Sequence, residues 1–142
     1  MTRHEGYDRL RRMVELPVAA DTVWAEIGNF GAIADWHPLI AKAEVVSIDG
    51  DTHRHLTTTD GDLILERLTG TGELNYSYEI VDGPLPVADY RAVFSCVLDG
   101  EGCHIFWSAH FEAADPSADE IVAAIYEAGL RAIRDRFSPA GG

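Results

Sequence analysis

Residues Val23 to Pro38 constrain this chain more than any other stretch. Two tryptophans, a phenylalanine and three other large apolar residues fall within sixteen positions, and the run stops at a proline. Val23, Trp24 and Ile27 recur at helical spacing behind Asp21, a residue suited to starting a helix. Gly28 closes that helix, Asn29-Phe30-Gly31 turns, and Ile33 and Trp36 open a second short run that Pro38 ends. Two such short helices with greasy inner faces cannot stand alone, so they must cap something larger. The rest of the chain reads as strands followed by one long helix, which points to a sheet wrapped around a helix with a hollow between them.

The strands are marked by their turns. Leu10 to Leu16 ends at Pro17, and Lys42 to Ile48 ends at Asp49-Gly50-Asp51. Arg54 to Thr58 and Leu63 to Thr69 flank the hairpin signal Asp60-Gly61. Leu74 to Val81 alternates, with Leu74, Tyr76, Tyr78 and Ile80 on one face, and Asp82-Gly83-Pro84-Leu85-Pro86 is a rigid loop. Tyr90 to Leu98 and Cys103 to Phe111 make another hairpin around Asp99-Gly100-Glu101-Gly102. Strands at a spacing of about ten residues with tight turns predict an antiparallel, strongly curved sheet.

The last element is a helix from about Ser117 to Phe137, capped by Ser117, with Asp119 and Glu120 in its first turn. Its apolar stripe is read as Ile121, Ala124, Ile125, Ala128, Gly129, Ala132, Ile133 and Phe137. The middle of that stripe is small. Gly129 costs roughly 1 kcal/mol relative to alanine inside a helix, which either close packing on the sheet or room for a ligand would explain.

At 142 residues and 46% apolar content the chain is a single domain able to bury a core, about residues 8 to 137, followed by a Pro-Ala-Gly-Gly tail. No apolar run reaches the length of a membrane span, and the polar start Thr2-Arg3-His4-Glu5 has no signal-peptide core, so a cytoplasmic protein is expected. A net charge of −13 argues against nucleic acid or an anionic membrane as partner. Cys96 and Cys103 flank a turn, where free buried thiols are favoured over a cross-strand disulfide. His53 and His55 lie two apart with no third ligand in view, so no metal site is expected.

Several segments together carry a resemblance: Val-Trp, Phe-Gly and Trp-His-Pro between 23 and 38; Glu66-Arg67-Leu68; Tyr76-Ser77-Tyr78-Glu79-Ile80; Leu85 to Tyr90; and Trp107 with Phe111. The chain resembles the START/Bet v 1-like superfamily over about residues 8 to 137, and within it the bacterial polyketide cyclase/dehydrase and lipid-transport family. The resemblance implies an α+β helix-grip fold: a curved antiparallel sheet around a long C-terminal helix, two short helices and an internal cavity. Plant abscisic-acid receptors are similar more distantly. By that likeness Lys42 falls on the lysine that meets the ligand carboxylate, Glu66 on a cavity glutamate, Tyr90 on a ligand-contacting tyrosine and Tyr78 on a cavity aromatic, with His110 in place of a second glutamate. The Arg54 to Glu66 segment is too short for the receptors' gate loop, and Leu85-Pro86-Val87 stands where their latch would be, so a hormone-receptor role does not transfer.

The residues can be read for chemistry beside that likeness. Alternation puts Ile64, Glu66 and Leu68 on one face, so Glu66 sits among apolar neighbours and must be hydrogen-bonded, paired or protonated. Lys42 is the expected partner, and such a pair anchors a ligand, works as general acid and base, or simply completes the fold. Tyr76, Tyr78 and Tyr90 add apolar walls with hydroxyl tips, and Trp36-His37-Pro38 reads as a lid on the core. His110 is a candidate base if it points inward, but Trp107 and Phe111 have the opposite parity, so only one set can line the chamber. The ligand-binding set is therefore Trp36, Lys42, Arg54, Glu66, Tyr76, Tyr78, Tyr90, Trp107, His110, Ile125 and Gly129. Two uses of such a cavity stand side by side: binding a small hydrophobic molecule, or cyclising or dehydrating one without a cofactor. In the second, Glu66 or His110 takes a proton while Lys42, Arg54 or a tyrosine hydroxyl steadies the oxyanion. A third reading is an interaction module with a filled core, and the chain is expected as a monomer or homodimer.

Overall fold

The computed structural model describes residues 8–138; the polar start at 2–5 and the tail at 139–142 lie outside them. Strand β1 (Leu10–Leu16) leads into helix α1 (Ala20–Ile27) and a 3-10 helix (Phe30–Asp35). Six strands follow: β2 (Ile40–Ile48), β3 (Asp51–Thr58), β4 (Leu63–Gly72), β5 (Asn75–Asp82), β6 (Val87–Asp99) and β7 (Gly102–Ala113). Helix α2 (Ala118–Arg136) closes the chain. The seven strands form one antiparallel sheet in the order β1-β7-β6-β5-β4-β3-β2, so β1 crosses to pair with the last strand and the others follow as a meander. This is the helix-grip architecture that the strand spacing and the resemblance imply.

Turn chemistry sets the register. Asp49 and Gly50 take φ of 53° and 86°, the pair of positive values a tight type I′ hairpin needs, which is why an Asp-Gly step ends β2. Helix α1 starts one residue before the expected Asp21, with Ala19 at its N-cap and no side-chain cap. Gly28 ends it for a packing reason: a Cβ there would lie 2.4 Å from the Trp24 indole, which folds back over the helix end. Asn29 then caps the 3-10 helix by accepting from the Gly31 N–H at 2.9 Å.

Alternation along β7 settles which parity faces inward. Cys103, Ile105, Trp107, Ala109 and Phe111 are buried, and His110 is exposed on the outer face. Helix α2 buries Ala118, Val122, Tyr126, Gly129, Leu130 and Ile133. Gly129, Ile133 and Phe137 of the expected stripe are buried, but its first half lies about one residue, a rotation of roughly 100°, from the observed face. Ile121 and Ala124 are exposed and Tyr126 takes the central position. Three alanines at helical spacing mimic an apolar face although they bury little surface, whereas Tyr126 stacks on Trp107 at 4.3 Å with the rings 9° from parallel.

Below α1 the core is aromatic. Phe94 stacks on Trp36 (5.4 Å) and Trp24 (5.7 Å) and meets Trp107 edge-on at 5.1 Å. The cysteines are free and buried. Cys96 pairs across the ladder with Ile105 and Cys103 with Leu98, so they do not face each other directly. Burial, with Cys103 beside it, pushes the Cys96 thiol up to about 12. No helix among the described residues is long and apolar enough to cross a membrane.

Candidate functional site: a chamber between the sheet and the long helix

Curvature of β3 to β6 lifts the sheet away from the first half of α2 and leaves a cavity of about 330 Å³. Its walls are mostly apolar, from Ile33, Ile40, Leu56, Ile64, Ile80, Val122 and Ile125, with Trp107 among them. Leu39, Thr58 to Asp60, Asp62 and the Pro84-Leu85 loop also line it.

A charged pair stands in this wall. Register pairs Arg54 of β3 with Glu66 of β4, and both side chains point into the fold. The Arg54 side chain is 0% exposed, and its Nε donates to Glu66 Oε1 at 2.7 Å. Nη1 donates to the Phe30 carbonyl at 2.7 Å and to the Tyr76 hydroxyl at 3.3 Å. The guanidinium also lies over three rings, 4.1 Å from the Phe30 centroid, 4.9 Å from Tyr78 and 5.5 Å from Tyr76. Its Nη2 is buried without a hydrogen-bond partner among the described residues. Burial works against the Arg54 charge, but Glu66, Tyr76 and Tyr78 outweigh it and push its pKa up. Burial lifts the Glu66 carboxyl above its ordinary range, against the pull of Arg54.

Tyrosine hydroxyls surround the pair. Trp107 Nε1 donates to the Tyr78 hydroxyl at 3.0 Å, and the Tyr90 and Tyr126 hydroxyls share a short hydrogen bond. Burial holds Tyr78, Tyr90 and Tyr126 well above the usual phenol range, so they are protonated at neutral pH.

His37 ties the front of the chamber to α2. Its Nδ1 accepts from the Leu39 N–H at 3.1 Å, which leaves the proton on Nε2 to donate to the Ile125 carbonyl at 2.9 Å. That approach explains Gly129: a Cβ there would sit 2.7 Å from the His37 ring and 2.9 Å from Trp107. Burial is the main reason the His37 pKa falls to about 4, with the Arg54 charge adding to it and the Ile125 bond opposing.

The chamber wall includes Arg54, Glu66, Tyr78, Tyr90, Trp107 and Ile125 from the residues singled out in the sequence. Lys42 is not there. A register shift between Ile40 and Lys42 turns it out of the sheet's inner face, and it is exposed on β2, so Glu66 pairs with Arg54 instead. His110 points outward from β7, so it is not the inward-facing base expected from the sequence. Trp36 is packed on Phe94, Tyr76 stands behind Arg54, and Gly129 lies under His37; none of these three lines the cavity. His53 bonds the Asp51 carbonyl and His55 is exposed, so they do not converge. Among the described residues, Glu15, Asp99 and His104 bring metal-donor atoms within 4.8 Å of one another, at the β1–β7 edge and away from the chamber. Sequence reading missed Tyr126 and the wall role of His37, although the spacing Val122, Tyr126, Leu130 carried a signal for the first.

A sequence profile of the polyketide cyclase / dehydrase and lipid transport family matches residues 8–138. No curated protein sequence matches the chain. Among solved structures, the protein XoxI from Bacillus cereus is 30% identical with a TM-score of 0.83, over 90% of this chain and 94% of that one. A START superfamily protein from Mycobacterium smegmatis (14% identity, TM-score 0.71, covering 90% and 95%) shares the fold. So does the di-domain ARO/CYC StfQ of the steffimycin biosynthetic pathway (12%, 0.71), where 90% of this chain covers 49% of that one. With its seven-stranded grip on α2 and a profile match across the described residues, the chain belongs to the polyketide cyclase/dehydrase and lipid transport family.

Proposed function

We propose that this chain binds a small hydrophobic molecule, aromatic or polyketide- or lipid-like, in the chamber between the sheet and α2. One observation carries the reading: an apolar hollow of about 330 Å³ whose wall holds the buried Arg54–Glu66 pair and three tyrosine hydroxyls. Ligand pockets run from roughly 300 to 1,000 Å³ with apolar walls and a few placed polar groups, so this chamber suits an occupant at the small end. A filled core, as a pure interaction module would have, fits that hollow poorly. Native mass spectrometry of the purified protein, followed by denaturing extraction, tests the reading. A stoichiometric small molecule, or a thermal shift from a panel of polycyclic and fatty ligands, is expected; an empty spectrum with no shift from any of them overturns it.

One observation also favours turnover in the same chamber. Glu66 has a carboxyl lifted by burial and stands among protonated tyrosines. A base of that kind can take a proton from carbon beside a carbonyl while Arg54 or a phenol steadies the oxyanion, which is what aldol cyclisation and dehydration need. Lys42 and His110 have no part in this version, because both face away from the chamber. Glu66→Gln is expected to abolish such turnover, and unchanged turnover removes Glu66 as the base.

A further inference from the structure

The guanidinium of Arg54 has five N–H groups and no acceptor of its own. Glu66, the Phe30 carbonyl and Tyr76 take up Nε and Nη1, while Nη2 is buried with no partner among the described residues. Three rings hold the plane in place, so the group cannot swing to find an acceptor elsewhere. A buried donor left unmet is costly, and more so when it belongs to a charged group. Arg54 stands in the chamber wall with no surface open to a water-sized molecule, so an occupant supplies the missing acceptor by pressing into that wall.

We propose that the occupant is a small hydrophobic acid whose carboxylate accepts from Arg54 Nη2, and that a proton from solvent moves onto Glu66 as it binds. The inference rests on the chamber being a binding site. Charge counting supports the acid and the proton together. Arg54 and Glu66 balance as they stand, and a second carboxylate would leave an excess negative charge in a dry space. Two carboxylates sharing one site cannot both stay ionised readily, so one of them takes a proton. A carboxylate adds Coulomb attraction in a low-dielectric space to the hydrogen bond that a neutral carbonyl also accepts, which selects the acid over its ketone or amide.

Glu66 is the member that takes the proton, because burial already favours its neutral form. The phenols and the imidazole nearby do not compete. Tyr76 and Tyr78 on β5, Tyr90 on β6 and Tyr126 on α2 are phenols held protonated by burial, and His37 stays neutral down to about 4. Asp60 and Asp62 line the chamber from the exposed β3–β4 turn.

Calorimetry with matched probes tests this: cinnamate against the methyl ketone benzalacetone, and decanoate against decanamide. Each acid is expected to bind about ten-fold tighter than its neutral partner or better. Heats measured in two buffers of different ionisation enthalpy should show about one proton taken up per acid bound, with affinity weakening as pH rises. Glu66→Gln should bind the acid without proton uptake. The double variant Arg54→Gln, Glu66→Gln leaves no lone buried charge, and in it acid and neutral probes should bind alike. Equal binding of acid and neutral probes to the unmodified protein overturns the inference and leaves the binding reading standing. If no probe of either kind binds, both fall together.

Discussion

The two halves of the interior use the same alternating strands for opposite ends. Under α1, Trp24 and Trp36 stack on Phe94 with ring centroids under 6 Å apart, and none of the three lines the chamber. Beyond Trp107, the same inward positions on β3 to β6 carry Arg54, Glu66, Tyr78 and Tyr90, and the sheet stands off the helix. Ring stacking fills space without needing partners, whereas hydroxyls and charges must be met one by one. The lesson is that a family fold fixes the grip, while the choice of aromatic or ionic side chains at equivalent positions decides which end is solid.

Substitutions can break or sharpen that contrast. Phe94→Ala in the solid half should cost about 3 to 5 kcal/mol by denaturant unfolding, because the stacked indoles cannot collapse onto the space. In the hollow half, Glu66→Leu should cost about 3 kcal/mol or more by leaving Arg54 charged and unpaired. Arg54→Met with Glu66→Leu should recover most of that loss; a double variant as unstable as the single would mean that the pair is not the source of the cost.

His37 sits between the halves and adds pH dependence. Its pKa is about 4 folded against 6.5 as the ordinary value, so the unfolded chain binds the extra proton between those values. Its contribution to stability is complete above about pH 6.5 and is lost as pH falls toward 4, for a total of about 3 kcal/mol. His37→Phe should flatten the slope of unfolding free energy in that window, and an unaltered slope would assign it elsewhere.

The smallest effect is expected at Gly129→Ala. Helix propensity favours alanine by roughly 1 kcal/mol, but its Cβ would meet His37 at 2.7 Å and Trp107 at 2.9 Å. Overpacking of this kind costs about 1 to 3 kcal/mol, so the melting temperature should fall slightly. A rise would mean that the His37 tether yields.

Much of the fold was legible because turns and alternation are local. Asp49-Gly50, Asp60-Gly61 and Gly100 each mark a hairpin, and the strands between them alternate cleanly. The site was legible only in part. Alternation places Glu66 inward but does not say which cation meets it, since that depends on the register between β2, β3 and β4. A one-residue irregularity near Lys42 removed the expected partner and left Arg54, directly across from Glu66, in its place. Tyr126 is hidden in the apolar spacing because Ala124, Ala128 and Ala132 continue the pattern on the neighbouring face without filling space. The parity of β7 was undecidable from its own residues, as both sets contain aromatics, and the ladder with β6 resolves it.

Lys42 has a place after all, and it concerns crowding rather than ligands. Strand β2 is an outer edge of an open sheet, with exposed Val45 and Ile48 that would suit a strand from a second molecule. The register break after Ile40 and the charges of Lys42 and Glu44 are the devices by which such edges avoid pairing with their own kind. Colloidal behaviour at high concentration is therefore written partly on this strand, whose first residue, Ile40, also lines the chamber.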